Sequence, residues 1–343
     1  MEIKLTQFSH GSGCGCKIAP DVLQEIIKST QETGVFKNLM VGNATKDDAA
    51  VWELDDENVV ISTTDFFMPI VDDAFQFGKI AATNAISDIY AMGGEPIMAI
   101  AILGFPIDKI PVEIAQQIIE GGRNACATAN IPLAGGHTID SPEPFFGLAV
   151  TGRAKKNEIK QNSGAKLGDV LFLTKPLGVG LLTTAQKSGV LQPNELDAAI
   201  EVMSKLNLIG RELGKMNCVN AMTDVTGFGL IGHLLEVCEG SNLSAEIIYN
   251  SVPIIDAAKN YAYSFMAPKG FTTNWNTYKD SVSETTETQR VILADPQTSG
   301  GLLISVDEKN AHHVQKLLEL NGLYSQPIGK MIQSESKSKI FIK

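Results

Sequence analysis

The chain has 343 residues, 44% of them apolar and 31 of them glycine, with 28 basic against 39 acidic side chains for a net charge of −11. This length exceeds the size at which one hydrophobic core usually stops growing, so two domains are expected. The acidic balance argues against neutralising a nucleic-acid backbone, and the longest apolar run, Ile97 to Ile107, is broken by Gly104 and Pro106 and too short to cross a bilayer.

In chain order, the start lacks the apolar stretch of a secretory signal, and five cysteines form no disulfide-dense pattern. Free thiols in a reducing cytoplasm are therefore expected. The first distinctive segment is His10-Gly11-Ser12-Gly13-Cys14-Gly15-Cys16-Lys17. Its glycines favour a mobile arm over a core segment. A lysine beside a thiol raises the thiolate fraction that nucleophilic chemistry or soft-atom binding needs. A Cys-x-Cys pair also suits a soft metal, but no second Cys/His pair stands at zinc-site spacing.

Beyond the arm, strands and helices alternate. Residues 58–63 read as a strand ending at Thr64-Asp65, 72–92 as a long helix, 97–103 as a buried strand, 111–129 as a helix and 145–151 as a strand. The polar, aperiodic stretch 154–168 marks a domain boundary. After it come a strand at 169–173, helices at 181–187 and 194–215, a short strand at 219–222 ending at Thr223-Asp224, and a helix through Val237. A Thr-Asp at a strand end followed by a helix thus occurs in both halves, hinting at related domains. Residues 267–283 read as loop-rich, and 302 to the end as strand, helix and two short strands. His233, His312 and His313 read as ordinary helix residues, and Cys126, Cys218 and Cys238 as packing thiols.

The common nucleotide motifs fail on inspection. Gly210 to Met216 is one residue short of a phosphate-binding loop and has Met where magnesium needs a hydroxyl, and Gly178-Val179-Gly180 lacks the third small residue of a dinucleotide fingerprint. What remains is a set of aspartates flanked by small or hydroxylic residues, at Asp47-Asp48, Asp65, Asp88 and Asp224. Such carboxylates can converge on magnesium bridging phosphate oxygens. Taken singly, each is more simply a helix cap or turn residue. Asp88 is harder to dismiss, because its helix is otherwise apolar and an unpaired buried charge is costly. Asn84, four residues earlier, shares its face. Gly135-Gly136-His137-Thr138 and Asp295 to Gly301 read as flexible loops rich in backbone donors, suited to phosphate or simply to turns.

Together, His-Gly-x-Gly-Cys-Gly-Cys-Lys, Asp-Asp-Ala-Ala-Val, Ser-Thr-Thr-Asp-Phe-Phe, Ala-Thr-Asn-Ala-Ile-Ser-Asp-Ile-Tyr-Ala-Met-Gly-Gly, Ala-Gly-Gly-His-Thr, Thr-Asp-Val-Thr-Gly-Phe-Gly and Asp-Pro-Gln-Thr-Ser-Gly-Gly occur in this order from Leu5 onward. They closely resemble the selenophosphate synthetase family, within the wider superfamily of aminoimidazole ribonucleotide synthetase and thiamine monophosphate kinase. The cysteine arm singles out the selenium enzymes. The resemblance implies two α+β domains of the aminoimidazole ribonucleotide synthetase-like fold: an arm over residues 1–45, an ATP-binding and dimerisation domain over 46–155 whose copies close a β-barrel in a homodimer, and a C-terminal domain over 156–343.

It further implies conversion of ATP, hydrogen selenide and water into selenophosphate, phosphate and AMP. Cys14 and Lys17 would be the essential arm residues, with Cys14 guiding selenium or carrying it briefly as an S–Se adduct. Asp48, Asp88 and Asp224 match magnesium ligands. Lys17, Thr45, Lys46, Asp47, Asp65, Asp88, Gly136, His137 and Thr138 match nucleotide contacts, the last three reaching the partner subunit's nucleotide. Mg2+, a monovalent cation such as K+ and a selenium-delivery protein are the implied cofactors and further partner. Another kinase or synthetase of the superfamily, and a non-catalytic thiol carrier of selenium, are the competing readings.

Overall fold

The computed structural model describes residues 3–18, 20–27, 36–42, 47–264 and 267–343. The N-terminal half carries α1 (Pro20–Ile27), β1 (Leu39–Val41), β2 (Ala50–Glu53), β3 (Asn58–Phe67), α2 (Ala74–Ala91), β4 (Glu95–Phe105), α3 (Val112–Thr128), β5 (Leu133–Asp140) and β6 (Phe145–Lys155). Its six strands form one sheet in the order β1-β2-β3-β6-β4-β5, antiparallel except for the β4–β5 pair. α2 and α3 cover one face. Asp73 caps α2 by accepting the Gln76 amide N–H, and Phe77, Ile80, Ile86 and Ile89 are fully buried, each contributing about 1.5–3 kcal/mol of transfer free energy. The helices cross so closely that a Cβ on Gly78 would overlap the Ile118 carbonyl.

The opposite face follows the strand alternation and is open. Odd residues of β3 point toward α2, whereas Phe66, with Trp52, Met98 and Ile100 of neighbouring strands, remains 43–50% exposed.

The second half carries β7 (Val170–Leu173), α4 (Val179–Lys187), α5 (Pro193–Ser204), α6 (Ile209–Gly214), β8 (Val219–Asp224), α7 (Gly229–Gly240), β9 (Ser244–Ile247), α8 (Asp256–Tyr263), α9 (Lys269–Tyr278), α10 (Glu287–Leu293), β10 (Leu302–Val306), α11 (Ala311–Leu320), β11 (Pro327–Ile332) and β12 (Ile340–Ile342). Its six strands form a second mixed sheet, ordered β12-β9-β11-β7-β10-β8. Among the described residues no helix is long and apolar enough to cross a membrane.

Four local expectations are corrected. The strand expected to stop at Thr64-Asp65 continues to Phe67, paired with β6 throughout. The single helix expected over 194–215 is two, because Lys205 turns extended and Asn207 is committed sideways to the Ser87 hydroxyl and the Gly300 carbonyl. The loop-rich stretch 267–283 contains α9. Its Thr- and Asn-rich sequence is a weak helix former, overridden by tertiary contacts in which buried Asn274 donates to the Gly227 and Ala294 carbonyls. Gly135 to Thr138 lie in β5, recruited by the parallel ladder to β4.

Candidate active site between the two domains

The arm, the N-terminal sheet, α2 and the end of β8 enclose a cavity of about 700 Å³, with Lys17, Asp47, Asp48, Asp65, Asp88 and Asp224 in its lining. β3 delivers Asp65, α2 delivers Asp88, and β8 ends at Asp224. Asp48, Asp88 and Asp224 are each steadied by a hydroxyl. Thr63 Oγ1 donates to Asp88 Oδ2 at 2.5 Å, Ser87 Oγ to Asp224 Oδ2 at 2.6 Å, and Thr223 Oγ1 to Asp48 Oδ1 at 2.9 Å. The last two bonds cross between the domains.

Burial pushes Asp48 and Asp88 well above the usual carboxylate range, and the charge of Asp224 pushes both further. Burial raises Asp224 as well, against the Ser87 hydrogen bond that lowers it. The site therefore holds more negative charge than it can easily ionise. Lys17 answers part of it. Its Nζ lies 3.7 Å from Asp65 Oδ2, and that carboxylate raises the lysine above its ordinary value while burial opposes the shift. The Lys17 side chain is 39% exposed, so solvent screens this pair.

Cys14 is nearly fully buried. Its Sγ donates to Asn84 Oδ1 at 3.4 Å, and its backbone N–H donates to Thr298 Oγ1 at 3.0 Å. Gly13 before it has φ +51°, and a Cβ there would strike Ile70 and Thr298. Glycine is thus required for this docking. Asn84 is fully buried and joins the parts: Nδ2 donates to Asp65 Oδ2 at 2.6 Å, and Oδ1 also accepts the Ser299 N–H at 2.7 Å. Asn84, Ser87 and Asp88 occupy one face of α2, as their i, i+3 and i+4 spacing requires.

Asp47 lines the cavity but accepts from the Asn162 N–H and Gln161 Nε2 of the interdomain segment. Thr45 and Lys46 lie outside the described residues. Gly136, His137 and Thr138 are exposed on β5, at the open edge of the sheet, and are not part of the cavity lining.

Sequence reasoning missed the serine and threonine partners and His233. That side chain lines the cavity, its Nε2 hydrogen-bonded with Thr226 Oγ1 at 3.3 Å and its Nδ1 lying 3.2 Å from Glu236 Oε2 without a hydrogen bond. An i, i+3 His-Glu pair following Thr223-Asp224 was the available signal. Cys126, Cys218 and Cys238 carry free thiols. Among the described residues no three His, Cys, Asp or Glu side chains converge closely enough to hold a metal ion by themselves.

A carboxylate-rich cleft into which Lys17 reaches, shared between two α+β domains, suits phosphoryl transfer, in which positioning and charge neutralisation do most of the work. Residues 46–154 match the AIR synthase related protein N-terminal domain, and residues 166–341 the corresponding C-terminal domain. Among solved structures, thiamine-monophosphate kinase from Stenotrophomonas maltophilia superposes with a TM-score of 0.66 at 18% identity, covering 90% of this chain and 92% of the other. Hydrogenase maturation protein HypE in complex with ATP gives 0.62 at 18%, covering 85% and 81%. At these identities the likeness is one of fold.

Full-length relatives are much nearer. A selenide, water dikinase of a Sulfurovum species is 54% identical over 96% of both chains, and one from Photorhabdus laumondii is 54% identical over 98% of this chain and 96% of its own. One from Shewanella baltica is 56% identical over 96% and 94%. The chain belongs to the selenide, water dikinase family.

Proposed function

We propose that this chain catalyses the ATP-dependent synthesis of selenophosphate from hydrogen selenide and water, releasing AMP and phosphate. The observation that carries this reading is that one short arm places Lys17 in the aspartate-lined cleft and seats Cys14 just behind it, on the Asn84 amide that also holds Asp65. A general kinase of this fold needs the carboxylates but has no use for a thiol held there. Anaerobic phosphorus NMR with magnesium and ATP tests it. Selenophosphate and AMP should appear only when selenide is added and vanish in Cys14→Ala and Lys17→Ala proteins. Intact ATP, or cleavage to ADP alone, would overturn the assignment.

In this reading Asp47, Asp65, Asp88 and Lys17 hold the nucleotide, together with Thr45 and Lys46. Lys17 steadies charge on the transferred phosphoryl group while Asp65 fixes its direction. Cys14, oriented by Asn84 and Thr298, receives the soft selenium nucleophile. Seating the arm over the cleft excludes bulk water during the first transfer. Asp48, Asp88 and Asp224 are suited to Mg2+: all their donors are oxygens, and the burial that raises their proton affinities, joined at Asp48 and Asp88 by the charge of Asp224, is a penalty on negative charge that a divalent cation offsets. Bound there, Mg2+ would neutralise the polyphosphate, with phosphate oxygens and water completing its shell. A monovalent cation such as K+ belongs to the same reading.

The working unit is a homodimer. The sheet face bearing Trp52, Phe66, Met98 and Ile100 groups exposed apolar side chains of neighbouring strands, as a face that meets a partner does, and pairing two such faces would close a barrel. Gly136, His137 and Thr138, on the edge strand, then serve the nucleotide of the neighbouring subunit. The arm over residues 1–45, the domain over 46–155 and the domain over 156–343 are the units of this assembly, with the arm moving to admit substrates. A reducing cytoplasm suits its thiols, and a selenium-delivery protein would hand selenide to the arm.

A further inference from the structure

Lys175 has no part in the chemistry described so far, yet it is almost fully buried just beyond β7. Its ammonium is spent on backbone. Nζ donates to the Lys205 carbonyl at 2.6 Å and to the Ser299 carbonyl at 2.7 Å. Burial pushes this amine down to about 7, a cost that evident packing alone does not require.

Ser299 explains the expense. It is one of three non-glycine residues with positive φ, at +51°, among the described residues. Such a conformation persists only where its surroundings hold it on both sides. Its own hydroxyl makes no hydrogen bond, so the backbone carries the restraint. Asn84 takes its N–H and Lys175 takes its carbonyl. The next carbonyl, of Gly300, is held by Asn207, and that of Gly301 by the Val225 N–H. The same turn presents the Thr298 hydroxyl to Cys14 and the Ser299 N–H to the amide that receives the Cys14 thiol.

We propose that Lys175 is a positioning residue for the arm cysteine: by gripping the Ser299 carbonyl it keeps the 298–299 backbone in the left-handed turn on which Cys14 docks. The functional meaning rests on Cys14 being the residue that handles selenium. The structural claim can be read without any turnover. In the substrate-free protein, buried Cys14 reacts with iodoacetamide only when its docking opens, so its alkylation rate, followed by peptide mass spectrometry, reports that opening.

Lys175→Met is expected to raise the Cys14 rate about tenfold, a modest local-opening change, and to change ATP affinity by a smaller factor, because Lys175 hydrogen-bonds backbone carbonyls outside the cavity lining. Adding Ser299→Gly should recover at least half of that change on a logarithmic scale, since glycine adopts the turn without restraint. A cavity left by the missing lysine would not be mended by a change at residue 299. Ser299→Val, which forbids the turn while leaving Lys175 intact, should expose Cys14 to a similar degree and serves if the lysine variant does not fold. A folded Lys175→Met or Ser299→Val protein with an unchanged Cys14 rate, or a double variant no better protected than the single, overturns the proposal. A protein that makes no selenophosphate but shows these rates would overturn only the reaction.

Discussion

The Cys14 thiol donates to the side-chain carbonyl of Asn84 at 3.4 Å, linking the glycine-rich arm directly to the helix that carries Asp88. Asn84→Ala removes that acceptor, strands the Ser299 N–H and leaves Asp65 with Lys17 but without its amide donor. A loss of about 1–3 kcal/mol in urea-unfolding stability is expected from the buried groups left unsatisfied. Selenide-dependent AMP formation should fall far more than ATP affinity.

Lys17→Met separates stability from activity in the opposite proportion. The ion pair with Asp65 is partly exposed, so unfolding free energy should change by less than about 1 kcal/mol. AMP formation should drop by about 10²–10³-fold if the ammonium stabilises developing charge. Chemical denaturation and a coupled AMP assay read the two numbers.

The cleft aspartates predict a metal-dependent trade. Their proton affinities are raised in the folded state, by burial first and by one another second. The folded chain thus binds more protons than the unfolded chain just above the ordinary carboxylate range, and stability falls as pH rises through it. At neutral pH, Asp224→Asn should therefore raise the melting temperature without metal. Wild-type protein should gain about 2.7 kcal/mol from Mg2+ at a hundredfold excess over its dissociation constant, and the variant little. Differential scanning calorimetry with and without a chelator tests both.

Lys175 supplies a second pH signature of opposite sign. Its amine titrates at about 7 when buried, against 10.5 in an unfolded chain. Between these values the unfolded chain holds more protons, so stability rises with pH across that window. Urea midpoints from pH 7 to 10 should climb less steeply in Lys175→Met than in wild type.

The open face of the first sheet predicts association. Trp52→Glu with Ile100→Glu places two charges on that face. Sedimentation velocity should show a dimer become a monomer, and nucleotide turnover should fall with it, because the edge strand of the neighbour is then missing. An unshifted sedimentation coefficient would remove that face from consideration.

The strands and helices around the site were readable because their periodicity is strong: α2 and α3 lie within two residues of their expected ends. The spacing of Asn84 and Asp88 correctly put them on one face. What that spacing could not show is the partners, since Thr223 meets Asp48 across 175 residues and Asn207 meets Ser87 across 120. Ser299-Gly300-Gly301 reads as a plain turn, and only the fold reveals that its backbone serves the arm. β5 was hidden for a related reason, because Gly135-Gly136 has no strand propensity and is held by the neighbouring strand.

The bond between Cys14 and Thr298 spans 284 residues. During synthesis the thiol leaves the ribosome long before its seat is made. Cys14 thus stays open to oxidants and electrophiles while those 284 residues are made, and a chain ending before residue 298 lacks the hydroxyl that seats it.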